Sequence, residues 1–235
     1  MIVTIHQPHF LPWTGYFNKA LSSDAFVWLH TVDYRKNYFQ NRTKIRSVKG
    51  QSLWLTVPVH AKLGMAIDEV KLADQRWPKK IRKTIEQCYQ KTPYFDQCAP
   101  VLWNVLDEPG DSIDSVNYKL FLALLELLGC ESVRVVRAGD LDADSADPTT
   151  RLVQICQALN AKYYLSGRSG SDYLRTAEFN DAGIKVIFQD FDPGKVVYHQ
   201  VGEGFVPGLS IIDCLFNIGP DQTRQLVKDA WTPTR

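Results

Sequence analysis

Ile2-Val3-Thr4-Ile5-His6-Gln7-Pro8-His9-Phe10-Leu11-Pro12-Trp13-Thr14-Gly15-Tyr16-Phe17-Asn18-Lys19-Ala20-Leu21 leads through Ser22-Ser23-Asp24 into Ala25-Phe26-Val27-Trp28-Leu29. The β-branched run 2–5 reads as a buried strand. Pro8 and Pro12 keep the following loop out of a regular helix, because proline lacks the N–H that a helix uses. Tyr16, Phe17, Ala20 and Leu21 then fall at helical spacing, and 25–29 is again a continuous apolar run. Strand, loop, helix, strand is the opening of a βαβ unit, whose right-handed crossover lays two parallel strands side by side.

The same rhythm returns late in the chain. Residues 133–136 read as a strand, Asp147-Pro148 marks the entry to a helix over 150–159, and Tyr163-Tyr164-Leu165 is a strand running into Ser166-Gly167-Arg168-Ser169-Gly170. A helix over 172–182 ended by Gly183, a strand over 185–189, and helices over 210–217 and 221–230 complete the pattern. Between the two βα regions, 39–47 and 52–60 are extended runs joined across Lys49-Gly50, which predicts a hairpin. Ile81, Ile85 and Tyr89 recur every four residues beside Lys and Arg, an amphipathic helix with a basic face. Further helices are expected over 95–106 and 113–128. The expected fold is α/β, a mainly parallel sheet with helices on both faces. It is read as a single domain over 1–235, with a hairpin and a mainly helical elaboration at 35–130.

Composition agrees with a globular chain: of 235 residues, 45% are hydrophobic and 23% charged. No apolar run approaches the ~18 residues of a membrane span. Met1 runs directly into the first strand without a secretory pattern, and five dispersed cysteines suggest neither a disulfide framework nor a metal knuckle, so a reduced cytoplasm is the expected location. The net charge of +1 conceals a segregation: 35–91 holds 14 Lys/Arg against 4 Asp/Glu, and 92–150 holds 3 against 11. A basic third attracts a phosphorylated ligand; alternatively, the two blocks pack against each other or form ordinary solvated faces. No nucleic-acid-binding motif is present and the pI is near 7.6, so the expected partner is an anionic small molecule and not nucleic acid. Nothing in the sequence specifies an oligomeric state.

Ligands of open parallel sheets bind beyond the carboxyl ends of the strands, and two polar loops directly follow strands here. In the first, His6 and His9 precede a helix beginning near Gly15, whose N-terminal N–H groups favour an anion. Two histidines alone do not make a metal site, so no metal is assigned; the plain alternative is that both are satisfied loop residues. The second, 165–170, joins two glycines to Ser166, Ser169 and Arg168, suited to phosphate or carboxylate. On an extended 38–44, Gln40, Arg42 and Lys44 share one face with Asn41 on the other, a polar row for an anion or a solvent-facing edge. Asp213 and Asn217 stand four apart on an otherwise apolar helix, as structural partners or site residues. Cys214 reads as a core residue.

Several blocks resemble the WbqC-like protein family: 5–17 (Ile-His-Gln-Pro-His-Phe-Leu-Pro-Trp-Thr-Gly-Tyr-Phe), Phe39-Gln40-Asn41-Arg42, Trp54-Leu55-Thr56-Val57-Pro58-Val59, Tyr164-Leu165-Ser166-Gly167, Asp172-Tyr173-Leu174 and 209–217 (Leu-Ser-Ile-Ile-Asp-Cys-Leu-Phe-Asn). They span 1 to about 219 in the family's order. Arg168-Ser169-Gly170 departs from the more glycine-rich loop expected there, and His9 stands where the family often has Asn or Tyr. The resemblance implies a bacterial protein of O-antigen or surface-polysaccharide biosynthesis. A more distant resemblance is to nucleotidylyltransferase-like folds such as pantothenate synthetases, with His6, 39–42 and 166–169 in the corresponding places and the second histidine of the HxGH motif absent. Together these imply a transferase or adenylate-forming ligase acting on an activated sugar or acyl precursor, or else a non-catalytic anion-binding or assembly protein of the same pathway. His6, Arg42 and Arg168 are the expected catalytic groups. Gln7, His9, Trp13, Tyr16, Gln40, Asn41, Lys44, Ser166, Gly167, Ser169, Asp172, Tyr173, Asp213 and Asn217 are the expected substrate contacts. No resident cofactor is specified; the cosubstrate implied is ATP or a sugar nucleotide with Mg2+.

Overall fold

The structure is a computed structural model and describes residues 1–234. In chain order the first half comprises β1 (Ile2–His6), α1 (Thr14–Leu21), β2 (Ala25–Trp28), β3 (Arg42–Arg46), β4 (Ser52–Thr56), β5 (Val59–His60), β6 (Lys71–Leu72), α2 (Trp77–Tyr89), α3 (Phe95–Asp107) and α4 (Ile113–Leu127). Then follow β7 (Arg134–Arg137), α5 (Pro148–Ala158), β8 (Tyr163–Ser166), α6 (Thr176–Asp181), β9 (Lys185–Phe188) and α7 (Ile211–Asp229). Five strands form one wholly parallel sheet in the order β7-β2-β1-β8-β9. The chain winds outward from β1 through β2 to β7, then returns to β8 on the other side of β1. The winding reverses between β1 and β8, and that reversal opens a crevice at their carboxyl ends.

Alternation along the strands explains why both faces are covered. Phe26 and Trp28 of β2 pack with Tyr16 and Phe17 of α1, Phe121 of α4 and Phe216 of α7. Ala25 and Val27 point the other way, with Val3 and Ile5, against Ile155 and Cys156 of α5 and Phe179 of α6. β2 is therefore apolar on two faces, as a central parallel strand should be, while β1 turns buried Thr4 to its second face, where the hydroxyl donates to the Leu165 carbonyl at 2.8 Å. The middle elaboration shares the first of these cores: Trp77, Ile81, Ile85 and Tyr89 of α2 bury the predicted stripe there.

Three departures from the sequence reading have local causes. The hairpin strand begins at Arg42, because Phe39 lies in a turn whose carbonyl accepts the Phe10 N–H at 2.9 Å. The run 52–60 splits at Pro58, and β5 turns to pair with β6 instead, proline having no N–H to continue the ladder. The helix expected from 172 begins only at Thr176, because a 3-10 turn over Arg168–Asp172 comes first. In α7, Gly219 at φ +77° and Pro220 break the helix into the two segments read from the sequence. Among the described residues no helix is long and apolar enough to cross a membrane.

Candidate functional site

The loop after β1 enters the crevice in a conformation enforced from several sides. Leu11 sits at φ +43°, a region that L-residues occupy only when their surroundings demand it. The hydroxyls of Thr43 and Ser210 both donate to its carbonyl, at 3.0 and 2.7 Å, and the Ile211 N–H donates to Pro12 at 2.8 Å. The hairpin and the start of α7 thus clamp this loop, which gives the motif residues at 39–43 and 209–211 a shared structural purpose. Trp13 lies flat over the first turn of α1: a Cβ on Gly15 would come within 2.4 Å of its ring.

A cavity of about 710 Å³ occupies the crevice. His6, His9, Trp13, Gly15, Tyr16 and Lys19 line it from the β1 side. Gly167, Arg168, Ser169, Ser171 and Asp172 line it from the turn after β8, with Gln189, Phe191 and Gly208 behind, and Tyr38 and Phe39 reach in from the hairpin approach. The two strand-following loops therefore converge. His6 Nδ1 lies 3.0 Å from the Gln7 carbonyl; that nitrogen must donate, so Nε2 carries the lone pair. Burial, then Lys19 and His9, hold the His6 imidazole well below its ordinary pKa, so it is neutral, with an unshared lone pair at Nε2. Burial, with Lys19, pushes His9 down to about 3. Tyr16 donates its hydroxyl to the same Gln7 carbonyl at 3.1 Å.

Lys19 is the group that the sequence reading passed over. Its side chain is 3% exposed, and burial alone pushes its ammonium down to about 7, with no partner offsetting it. Its Nζ stands 4.0 Å from where a Gly167 Cβ would lie, which places the amine beside the turn. Gly170 is closely packed: a Cβ there would meet Ser166 Oγ at 2.1 Å and Leu174 Cδ1 at 3.0 Å. Among the described residues no cluster of three or more His, Cys, Asp or Glu could hold a metal ion, and Asp172 is the one carboxylate lining this cavity.

The other expected site residues lie behind or beside it. Gln7 and Gln40 are coupled side chain to side chain at 2.9 Å, and Gln40 also accepts the Arg35 N–H and, through its carbonyl, the Asn117 amide. Asn41 donates to the Val57 carbonyl at 2.9 Å. Arg42 and Lys44 lie over the Trp54 ring, 4.2 and 5.1 Å from its centroid, outside the cavity lining. Ser166 is buried behind the wall, Tyr173 stands 58% exposed beside it, and Arg168 sits at the rim, 3.9 Å from Asp190. Asp213 is buried elsewhere, accepting from Tyr89 at 2.7 Å, Gln200 at 2.8 Å and Tyr198, with Asn217 donating to its carbonyl. Both act as structural partners there.

The charge blocks also resolve. A larger groove, about 1110 Å³, runs beside α2 and holds Lys79, Arg82 and Lys83 opposite Asp74, Asp107 and Asp111. Arg82 pairs with Glu86 at 3.3 Å and Asp107 at 3.5 Å, and Lys71 with Asp111 at 2.7 Å. Here the basic and acidic blocks meet and pair in part, in the open, whereas the amine in the smaller crevice is buried.

A profile of the WbqC-like protein family matches residues 7–225. A Mycobacterium tuberculosis (strain ATCC 25618 / H37Rv) protein, titled the uncharacterized protein Rv1507c, is 32% identical over 228 residues, covering 94% of this chain and 97% of that one. No solved structure matches the chain.

Proposed function

The chain belongs to the WbqC-like protein family, and from its crevice we propose that it is a group transferase or ligase taking a phosphate-bearing activated donor, such as a sugar nucleotide or ATP. The observation that carries this reading is Lys19, a buried amine without a counter-ion at the crevice where the sheet's winding reverses. A buried cation without a partner is costly to keep, and an arriving phosphate supplies the missing charge. The Gly167–Ser171 turn lets the donor approach the backbone, and Arg168, exposed at the rim, is free to close on charge that grows during transfer. His6, on the cavity wall with its Nε2 lone pair unshared, is the candidate proton acceptor for the attacking group. A nucleotide brings its own Mg2+, beside which Asp172 is the available carboxylate. A place in bacterial surface-polysaccharide biosynthesis, in the cytoplasm, rests on the family resemblance.

Thermal unfolding with ATP and with UDP-glucose tests it. At a hundredfold excess over Kd the expected rise in Tm is about 5–10 °C, lost in Lys19→Met and weakened in Arg168→Ala. His6→Ala is expected to keep binding and lose turnover. A protein that no phosphate-bearing ligand stabilises at millimolar concentration contradicts the proposal.

A further inference from the structure

His9 is 4% exposed, and neither of its ring nitrogens has a hydrogen-bond partner. Buried polar groups in folded proteins are nearly always paired, so such an exception asks for a cause. The ring lines the crevice inside an aromatic nest: His6 edge-on at 4.8 Å between centroids, Tyr16 at 5.2 Å, Tyr38 edge-on at 5.5 Å and Phe39 at 5.6 Å. Burial and Lys19 keep it uncharged. An uncharged imidazole offers one N–H and one lone pair. A phosphate oxygen can accept from the N–H but repels the lone pair, whereas a hydroxyl serves either, and adjacent hydroxyls serve both. The surrounding ring faces suit the carbon–hydrogen face of a saturated ring.

We infer that His9 recognises the hydroxyls of a sugar ring, so that the ligand of this crevice is a sugar phosphate with its phosphate at Lys19 and its ring at His9. The inference rests on the phosphate reading above and names its substrate class. Both His9 nitrogens are closed to solvent, and Tyr38, 38% exposed and edge-on to His9, is the side chain that would turn aside to admit the ring. The same chemistry arises in a hexose phosphate, in the hexose of a sugar nucleotide, and in the ribose of a nucleotide.

Isothermal titration of the full chain with methyl phosphate, glucose 1-phosphate and ribose 5-phosphate separates these. At least one sugar phosphate is expected to bind about tenfold tighter than methyl phosphate, the worth of the added hydrogen bonds; the tighter of the two identifies the ring. His9→Phe keeps an aromatic ring and deletes both unpaired nitrogens, so it is expected to fold with an unchanged or higher Tm. It should abolish the preference while leaving methyl phosphate affinity within about twofold. His9→Asn, which keeps a donor and an acceptor, should retain the preference. No preference in the wild type, or one that survives His9→Phe, overturns the inference. If methyl phosphate fails to bind and methyl glucoside binds in a His9-dependent way, the phosphate reading falls and the His9 assignment stands. If neither class of compound binds, both fall.

Discussion

Lys19 gives the sharpest prediction at the scale of one residue. Its amine titrates near 10.5 in an unfolded chain and near 7 in the folded one. Between these values the unfolded chain binds more protons, so stability rises as pH climbs from about 7 towards 10.5, and the penalty is present in full below 7. Lys19→Met is therefore expected to raise Tm at pH 6 and to flatten the rise; melting curves from pH 6 to 10 check this, and two parallel profiles contradict it. Anion binding draws a proton onto the amine, so affinity is expected to weaken above pH 7. His6 and Gly167 were legible in the sequence because each directly follows an apolar strand. Lys19 was not, because beside Asn18 it reads as the wet side of an amphipathic helix. Only tertiary packing buries this side of α1: Lys19 is 3% exposed, and beside it Asn18 donates to the carbonyls of Val227 and Trp231 at 2.8 Å each and accepts from Gln189 at 2.7 Å. A lysine on a helix buried along nearly its whole length is the signal that could have found it, once that burial is known.

At the scale of elements, the Trp13–Gly15 contact shapes one side of the crevice, and the Asp213 network lies behind Phe191 on the other, in the cluster that joins Phe191 to Tyr198 and Cys214. Gly15→Ala would drive a methyl group into the Trp13 ring; overpacking of this kind costs about 1–3 kcal/mol and displaces Trp13 from the cavity, visible as a change in its fluorescence. Asp213→Ala would leave the Tyr89 and Tyr198 hydroxyls without their acceptor, while the Gln200 amide keeps the Val206 carbonyl. A loss of about 3 kcal/mol or more is expected, with faster amide exchange over 198–201 and around Phe191; unchanged exchange there would show that the network does not hold this wall. The βα units, the hairpin turn at Gly50 and the break in α7 were readable from periodicity and punctuation. The β5–β6 pair was not, because two-residue strands carry no period. The polar row at Gln40, Arg42 and Lys44 was legible as a pattern, yet its direction depended on Trp54 across the hairpin, which draws the two cations away from the crevice.

At the scale of the molecule, one core cluster joins Phe26 and Trp28 of the sheet to α2, α3, α4 and α7. We propose that residues 1–235 unfold as one unit, giving a single calorimetric transition; separate transitions for the 35–130 elaboration and the sheet would contradict this. The near-zero net charge hid two blocks in the sequence, and it took the folded chain to bring part of them together along α2, while Lys19, outside both blocks, is buried at the crevice. The central claim is that this crevice, and not the larger groove beside α2, receives a phosphate group. A crystal structure of the chain with bound UDP-glucose or ATP tests it most directly. The account predicts phosphate oxygens within hydrogen-bonding distance of Lys19 Nζ and the backbone of 167–171; a ligand seated instead among Lys79, Arg82 and Lys83, with the crevice holding only water, would contradict it.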